Sequence, residues 1–166
     1  MDLDEKDCII LNLLQINCRA SLTSIAKEVG LSVDAVNKRI KKLLEHNIFW
    51  PKIQIRPRQL GFHNIVDVKL KLIYTSRKDV DHFISYLRAH PRVCEIFSIS
   101  GDWDFSLVIL AKDAIDLGKT TRDIRCKFGH IISAWTESLT TNSYKFEYYD
   151  VAELLGKPSS RIKPDF

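Results

Sequence analysis

The polar and basic side chains between Ser32 and Lys42 have the residue types that proteins use to hold a polyanion. Hydroxyl and amide groups hydrogen-bond to phosphates or base edges, and lysine ammonium groups attract phosphates. Residues 32–58 contain 7 Lys/Arg against 2 Asp/Glu, so positive charge is concentrated here. This composition predicts a phosphate-binding face. The candidate residues are Ser32, Val33, Asp34, Asn37, Lys38, Arg39, Lys41 and Lys42.

A predicted helix from Ser32 to about His46 would position these side chains, with an apolar stripe opposite them. A shorter predicted helix precedes it, beginning after Ser21 and ending at Gly30, which tolerates a left-handed conformation. This order is the helix-turn-helix pattern: a helix, a tight turn with glycine, and a basic helix. The second helix of the pattern enters the DNA major groove. We therefore interpret the face as DNA-binding. The alternative is a solvated basic face on an interaction domain, and Arg39 has the further alternative of a structural ion pair.

The rest of the first sixty residues completes an N-terminal winged helix-turn-helix domain, predicted as 1–60. A first helix opens at Asp4-Glu5, with an apolar stripe predicted at Ile9, Ile10, Leu13 and Leu14. The segment Ile48–Ile55 is predicted as a strand, with Pro51 marking an edge or bulge.

The second half of the chain alternates strands and helices in the order βαββαβ, which is typical of a ferredoxin-like unit. We predict this domain over 61–150 and a C-terminal extension over 151–166, so the fold class is α+β. The predicted elements are strands Ile65–Leu72, Val93–Ile99 and Phe105–Leu110, one or two further strands over Ile131–Thr141 and Tyr144–Tyr149, and helices Asp79–Ala89 and Ala114–Phe128.

Other reactive side chains do not form a convincing catalytic or metal pattern. Asp102 and Asp104 share one turn, but no His, Cys or Ser partner is evident, so we predict no catalytic residue. The 4 cysteines and 5 histidines lack ligand spacing, which favours buried reduced thiols, no metal and no cofactor. No apolar run is long enough to cross a membrane, and the acidic N-terminus is unlike a secretory signal, so we expect a cytoplasmic protein without membrane contact.

Several motifs resemble the Lrp/AsnC family of feast/famine regulators, over roughly residues 2–150. The N-terminal motifs are Leu3-Asp4-x-x-Asp7-x-x-Ile10-Leu11, Asn17-x-Arg19-Ala20-Ser21, Ile25-Ala26-x-x-Val29-Gly30-Leu31-Ser32 and Val36-x-x-Arg39-Ile40-x-x-Leu43. Gly101-x-x-Asp104 is similar to the turn of that family's ligand-binding (RAM) domain, and Thr136-Glu137-Ser138 resembles its Thr-x-Thr strand.

The resemblance implies a sequence-specific regulator of transcription that binds double-stranded DNA as a dimer, tetramer or octamer. It also implies a small-molecule effector, commonly an amino acid, near the Gly-x-x-Asp turn. The effector residues expected from this resemblance are Ser98, Gly101, Asp102, Trp103, Asp104, Leu139 and Thr140.

Two other functions remain open from the sequence. Siroheme decarboxylases resemble Lrp proteins, but such an enzyme needs a tetrapyrrole pocket, and the intact basic helix argues against it. A DNA-architectural protein that needs no ligand would have nearly the same sequence features, and a sequence-indifferent footprint would identify it.

Overall fold

The computed structural model describes residues 1–158, and the chain forms two compact units. The first comprises residues 1–54 together with the described residues from 144 onward, and the second comprises 55–143. This division differs from the predicted boundaries at 60 and 150, because the end of the chain belongs with its beginning. The last part of the predicted extension, 159–166, lies outside the described residues.

The elements follow one another along the chain as six α-helices and four strands within the described residues. They are α1 Glu5–Ile16, α2 Leu22–Val29, α3 Val33–Glu45, β1 Asn64–Leu72, α4 Arg77–Ala89, β2 Val93–Ser98, β3 Phe105–Ala111, α5 Ala114–Phe128, β4 Ile132–Leu139 and α6 Val151–Leu154. A single 3-10 turn, Pro57–Leu60, precedes β1.

The first unit is built around the helix-turn-helix of α2 and α3. Ser21 and Ser32 cap the two helices, accepting from the backbone N–H groups of Ser24 and Ala35. Gly30 ends α2 at φ 71°, a left-handed conformation that glycine adopts without steric strain. The core of the unit is formed by fully or nearly fully buried side chains of all three helices, namely Ile10, Leu11, Ile25, Ala26, Val29, Val36 and Leu43.

The second unit is a four-stranded antiparallel sheet in the order β2-β3-β1-β4, with α4 and α5 packed on one face. Strand β3 alternates buried and half-buried side chains, as expected for a central strand whose two faces differ. Side chains from the sheet and from both helices meet in one core that includes Phe83, Leu107 and Ile124. The predicted α+β class and βαββαβ order are confirmed.

Two predicted strands are absent from the described residues. Residues 48–56 are irregular rather than a strand, although Trp50, Ile53 and Ile55 are largely exposed apolar side chains. A strand needs a neighbouring backbone to hydrogen-bond, and no strand within residues 1–158 pairs with this segment. The predicted strand Tyr144–Tyr149 is also irregular, because this segment leaves the sheet and joins the first unit.

The end of the described chain packs on α1. Asn12, fully buried in α1, donates to Asp150 Oδ1 at 2.8 Å and accepts from the Val151 N–H at 3.0 Å. Asp150 caps α6 through the N–H groups of Ala152 and Glu153, and Ala152 is fully buried. Part of the predicted extension is therefore a fourth helix of the helix-turn-helix unit.

The cysteines differ from the expectation of buried thiols. All four are free, but only Cys8 is buried, while Cys18, Cys94 and Cys126 are exposed. Burial raises the pKa of the Cys8 thiol, which makes that thiol less reactive than a free, solvated cysteine.

Candidate nucleic-acid interface and effector groove

Helix α3 presents its lysines on the side opposite its buried residues. Val36 and Leu43 are fully buried against α1 and α2. At 3.6 residues per turn, Lys38 and Lys41 fall on the other side of the helix. Ser32, Val33, Asp34, Lys38, Lys41 and Lys42 are exposed and Asn37 is half-buried. Seven of the eight predicted DNA-binding residues are thus brought together on one accessible surface, which we call the α3 face.

One exposed ion pair lies on the α3 face. Lys38 Nζ is 2.8 Å from Asp34 Oδ2, one helical turn away, and both side chains are more than 70% exposed. An exposed pair of this kind contributes about 0–1 kcal/mol. A phosphate can therefore compete with Asp34 for the Lys38 ammonium group at little energetic cost.

Arg39, the eighth predicted residue, points away from the α3 face. Its Nη1 atom donates to Asp4 Oδ2 and to Asp7 Oδ1, each at 2.7 Å. The Asp7 side chain is only 7% exposed, and that of Arg39 is 30% exposed. The pair ties α3 to the beginning of α1, which is the structural alternative left open by the sequence. We therefore leave Arg39 out of the proposed interface.

The electrostatics of this ion pair favour its charged form. Burial raises the pKa of Asp4, but hydrogen bonds from the Asp7 backbone N–H and from Arg39 outweigh that effect and leave the pKa below its usual value. Hydrogen bonds to Asp7 and then to Asp4 raise the pKa of Arg39. The same two aspartates form a capping box at the start of α1, in which Asp4 accepts from the Asp7 N–H at 2.9 Å.

Replacing Asp4 with asparagine is expected to destabilise the protein at neutral pH by less than about 1 kcal/mol, because the carboxylate is half exposed. Asparagine keeps the N-cap acceptor but lacks the charge. A carboxyl group whose folded-state pKa is lowered stabilises the fold above its unfolded pKa, near 3.8, and this contribution disappears as pH falls through the folded value. Urea unfolding of wild type and Asp4→Asn should therefore differ at pH 7 and converge below about pH 4. A difference that stays constant over this range would contradict the assignment.

A hydrogen-bonded turn links β2 to β3 in the second unit. Gly101 has φ 121°, a conformation that side chains disfavour. The Leu72 N–H donates to Asp104 Oδ2 at 2.7 Å, and the Asp104 N–H donates to the Leu70 carbonyl at 3.0 Å. The Asp104 carboxylate thus fixes the turn against the end of β1, which makes it a positioning residue within a single chain.

A groove of about 550 Å³ lies beside this turn. Ser98 and Asp104 line it, and they are the only two of the seven predicted effector residues to do so. Its other walls come from Ile99, Phe105, Val80 and the segment Leu72–Thr75. Sequence reasoning missed that segment, because β1 and the turn become neighbours only through the strand pairing of β1 with β3.

The remaining predicted effector residues are separated within the chain. Gly101 and Asp102 are exposed and Trp103 is half-buried on the turn. Leu139 pairs with Val66, whereas Phe105, next to the turn, pairs with Leu70. These positions are four residues apart along β1, or about 13 Å at 3.3 Å per residue. Thr140 Oγ1 donates to Asp67 Oδ2 at 2.7 Å, at the Leu139 end. A single chain therefore does not join the two sets into one pocket.

Two negative findings apply to residues 1–158. No helix there is both long and apolar enough to cross a membrane. No group of three or more His, Cys, Asp or Glu side chains there is arranged to hold a metal ion.

A helix-turn-helix with an outward basic helix, joined to a ferredoxin-like domain, defines a class of DNA-binding regulators that carry a ligand-binding domain. The family comparisons agree with both parts. Residues 3–44 match the AsnC-type helix-turn-helix domain, and residues 65–129 match the Lrp/AsnC ligand binding domain. The chain belongs to the Lrp/AsnC family of transcription regulators.

One curated relative supports this assignment, and two solved structures share the fold. The HTH-type transcriptional regulator LrpA of Pyrococcus horikoshii is 34% identical over 116 residues, which is 69% of this chain and 80% of the relative. An AsnC family regulator from Agrobacterium tumefaciens superposes with a TM-score of 0.83 at 21% identity, covering 92% of this chain and 99% of that one. The regulator NMB0573 of Neisseria meningitidis, solved as a complex with L-Met, gives 0.81 at 20% identity over 87% and 94%.

Proposed function

We propose that two copies of this chain insert their α3 helices into successive major grooves of double-stranded DNA. The observation that carries the proposal is the position of Lys38 and Lys41, exposed on the side of α3 opposite buried Val36 and Leu43. Ser32, Val33, Asp34 and Asn37 stand at the N-terminal part of the helix, from which side chains reach base edges. The lysines, including Lys42, supply phosphate contacts.

The proposed protein is a homo-oligomer. Exposed Trp50, Ile53 and Ile55 in the irregular 48–56 segment support this, since apolar side chains on an unpaired backbone gain from being covered by a second copy. A second copy is also the simplest way to bring Leu139 and Thr140 near a Gly101–Asp104 turn. We place the protein in the cytoplasm, where transcription regulators meet DNA.

The proposed effector is a small molecule that fits the groove beside the β2–β3 turn, and an amino acid is the leading class. The match to the Lrp/AsnC ligand binding domain and the L-Met complex of the Neisseria relative support this class. Within the groove, Ser98 offers a hydroxyl group, and apolar Leu72 and Val80 suit an aliphatic side chain. Such a ligand would act by preferring one assembly state or DNA affinity over another.

The proposed role is regulatory rather than catalytic. The relatives reported above are transcription regulators, and none of the predicted site residues pairs a nucleophile with a base. Effector binding and DNA binding then account for the two domains without a chemical step.

Changing Lys38 and Lys41 together to alanine is expected to weaken DNA binding by about tenfold or more at physiological salt. The measurement is a gel shift on the protein's own promoter region or on sites selected from random DNA, repeated at several salt concentrations. Each lost phosphate contact lowers the salt slope by about 1, so a dimer loses about 4.

The matched control is Lys78→Ala with Lys119→Ala, which removes the same charge from exposed positions on α4 and α5. The control should bind almost as wild type. Equal losses in both double variants would mean that net charge, not the α3 face, sets the affinity, and unchanged binding of the Lys38/Lys41 variant would rule out the groove assignment.

A further inference from the structure

A second groove in the sheet domain belongs to none of the sites described so far. It has a volume of about 530 Å³ and lies between α5 and the edge strand β4. It shares no lining residue with the groove beside the β2–β3 turn. Its walls include Gly118, Arg122, Arg125, Cys126, Ser133 and Trp135.

The two arginines give this groove an uncompensated positive charge. Arg122 and Arg125 are three residues apart on α5, so they are neighbours on one helix face. Within residues 1–158 neither of them makes a salt bridge. Two acidic residues on α5 and β4 are engaged elsewhere: Asp116 pairs with Arg92 at 3.0 Å, and Glu137 accepts from Trp135 Nε1 at 2.7 Å.

Helix electrostatics explain only part of this arrangement. Arg125 stands in the last turn of α5, where a cation is favourable next to the partial negative charge of the helix end. That effect falls off within the last turn, so it contributes little at Arg122. Both exposed guanidinium groups therefore lack an acidic partner within residues 1–158 and are accessible to a ligand in the groove.

Gly118 supplies an independent observation about the shape of the groove. Glycine inside a helix is less stable than alanine there, and a Cβ atom at Gly118 would meet no heavy atom within 4 Å. Packing within the chain therefore does not require glycine at this position. Because Gly118 has no side chain, the α5 wall of the groove stays open beside Arg122 and Trp135, which also line it.

We propose that this groove binds a small organic anion with a planar apolar part. A carboxylate or phosphate group fits between Arg122 and Arg125, since guanidinium groups bind both through paired N–H donors. The half-buried indole of Trp135 offers a flat surface for the rest of the ligand. The volume is within the usual range for small-molecule sites, about 300–1,000 Å³.

The test is calorimetric or NMR titration of the full-length protein with three probes: phenyl phosphate, benzoate and inorganic phosphate. Saturable binding of phenyl phosphate or benzoate in the millimolar range is expected, and the stronger of the two identifies the preferred acid group. Inorganic phosphate should bind more weakly, because it lacks the planar part. Absence of saturation with all three probes would overturn the proposal.

Two variants locate the site. Arg122→Ala with Arg125→Ala should weaken binding at least tenfold. Gly118→Leu should abolish binding while keeping or raising Tm, because leucine favours the helix and its side chain projects into the groove. The control Arg77→Ala with Arg88→Ala removes two arginines from α4 and should bind as wild type. Equal affinity in Gly118→Leu and in wild type would place any binding elsewhere. Since Gly118 is outside the α3 face, unchanged DNA binding by this variant separates the outcome from that of the DNA-binding proposal.

Discussion

Deleting residues 144–166 is expected to destabilise the helix-turn-helix unit by about 3 kcal/mol, a large fraction of the 5–15 kcal/mol that stabilises a typical domain. The deletion removes both hydrogen-bond partners that Asp150 and Val151 provide to Asn12, which is fully buried in α1. Each of these two hydrogen bonds contributes about 0.5–1.5 kcal/mol net, because water can replace the lost partners once the tail is gone. Loss of apolar cover from Val151 and Ala152 adds to this.

Hydrogen exchange of the α1 amides measures the effect where it arises, because the local protection of this helix reports its own unfolding free energy. Protection should fall by about two orders of magnitude, the equivalent of 3 kcal/mol. Asn12→Ala should reproduce part of the loss in the full-length chain. The control Tyr144→Ala removes an 86% exposed side chain in the same segment and should leave α1 unchanged. Full protection of α1 in the deletion variant would mean that the tail only rests on the surface.

Local signals predicted most of the secondary structure because they act over a few residues. The predicted helix Ala114–Phe128 has those bounds in the structure. The left-handed conformation expected at Gly30 is confirmed, with a φ value of 71°. Caps and glycine stops depend on residues within one turn, and the sequence displays them directly.

Predictions of features that depend on distant residues were wrong or were not made. The apolar stripe predicted for α1 contains Ile10, but the structure also buries Cys8, Leu11 and Asn12. Asn12 faces a tail 138 positions away, as the Asn12–Asp150 hydrogen bond shows. Hydrophobic periodicity assigns a helix one buried face, and the neighbouring sequence contains no signal for a second buried face. The strand predicted for residues 48–55 was wrong for a related reason. A segment with strand propensity forms a strand only when another backbone is available to pair with it.

The two candidate sites differ in the same way: one depends on local sequence signals and the other on strand pairing. The α3 face was predictable because helix periodicity alone separates Lys38 and Lys41 from Val36 and Leu43. The effector residues came from a family motif, which marks positions but not their spacing in one chain. Leu139 and Gly101 therefore appeared as one pocket, although strand pairing places them at different ends of β1.

Arg39→Met is expected to lower the free energy of unfolding by about 2–3 kcal/mol without changing the salt dependence of DNA binding. Methionine retains much of the aliphatic length of arginine but leaves the Asp7 carboxylate without its guanidinium partner. Breaking a fully buried ion pair costs about 3–5 kcal/mol, and the partial exposure of Arg39 reduces that figure. Urea unfolding at fixed pH and salt measures the loss.

Arg39 either pairs with Asp7 or contacts a DNA phosphate. A double-mutant cycle with Asp7→Asn distinguishes these two hypotheses. If Arg39 acts through Asp7, removing the Asp7 charge in the Arg39→Met background should recover part of the lost stability, because no uncompensated carboxylate remains. If Arg39 instead contacts a phosphate, the single variant should stay as stable as wild type and its dimer should lose about 2 from the salt slope. That result would return Arg39 to the DNA interface. It would also contradict the ion pair that we assign between α3 and the start of α1.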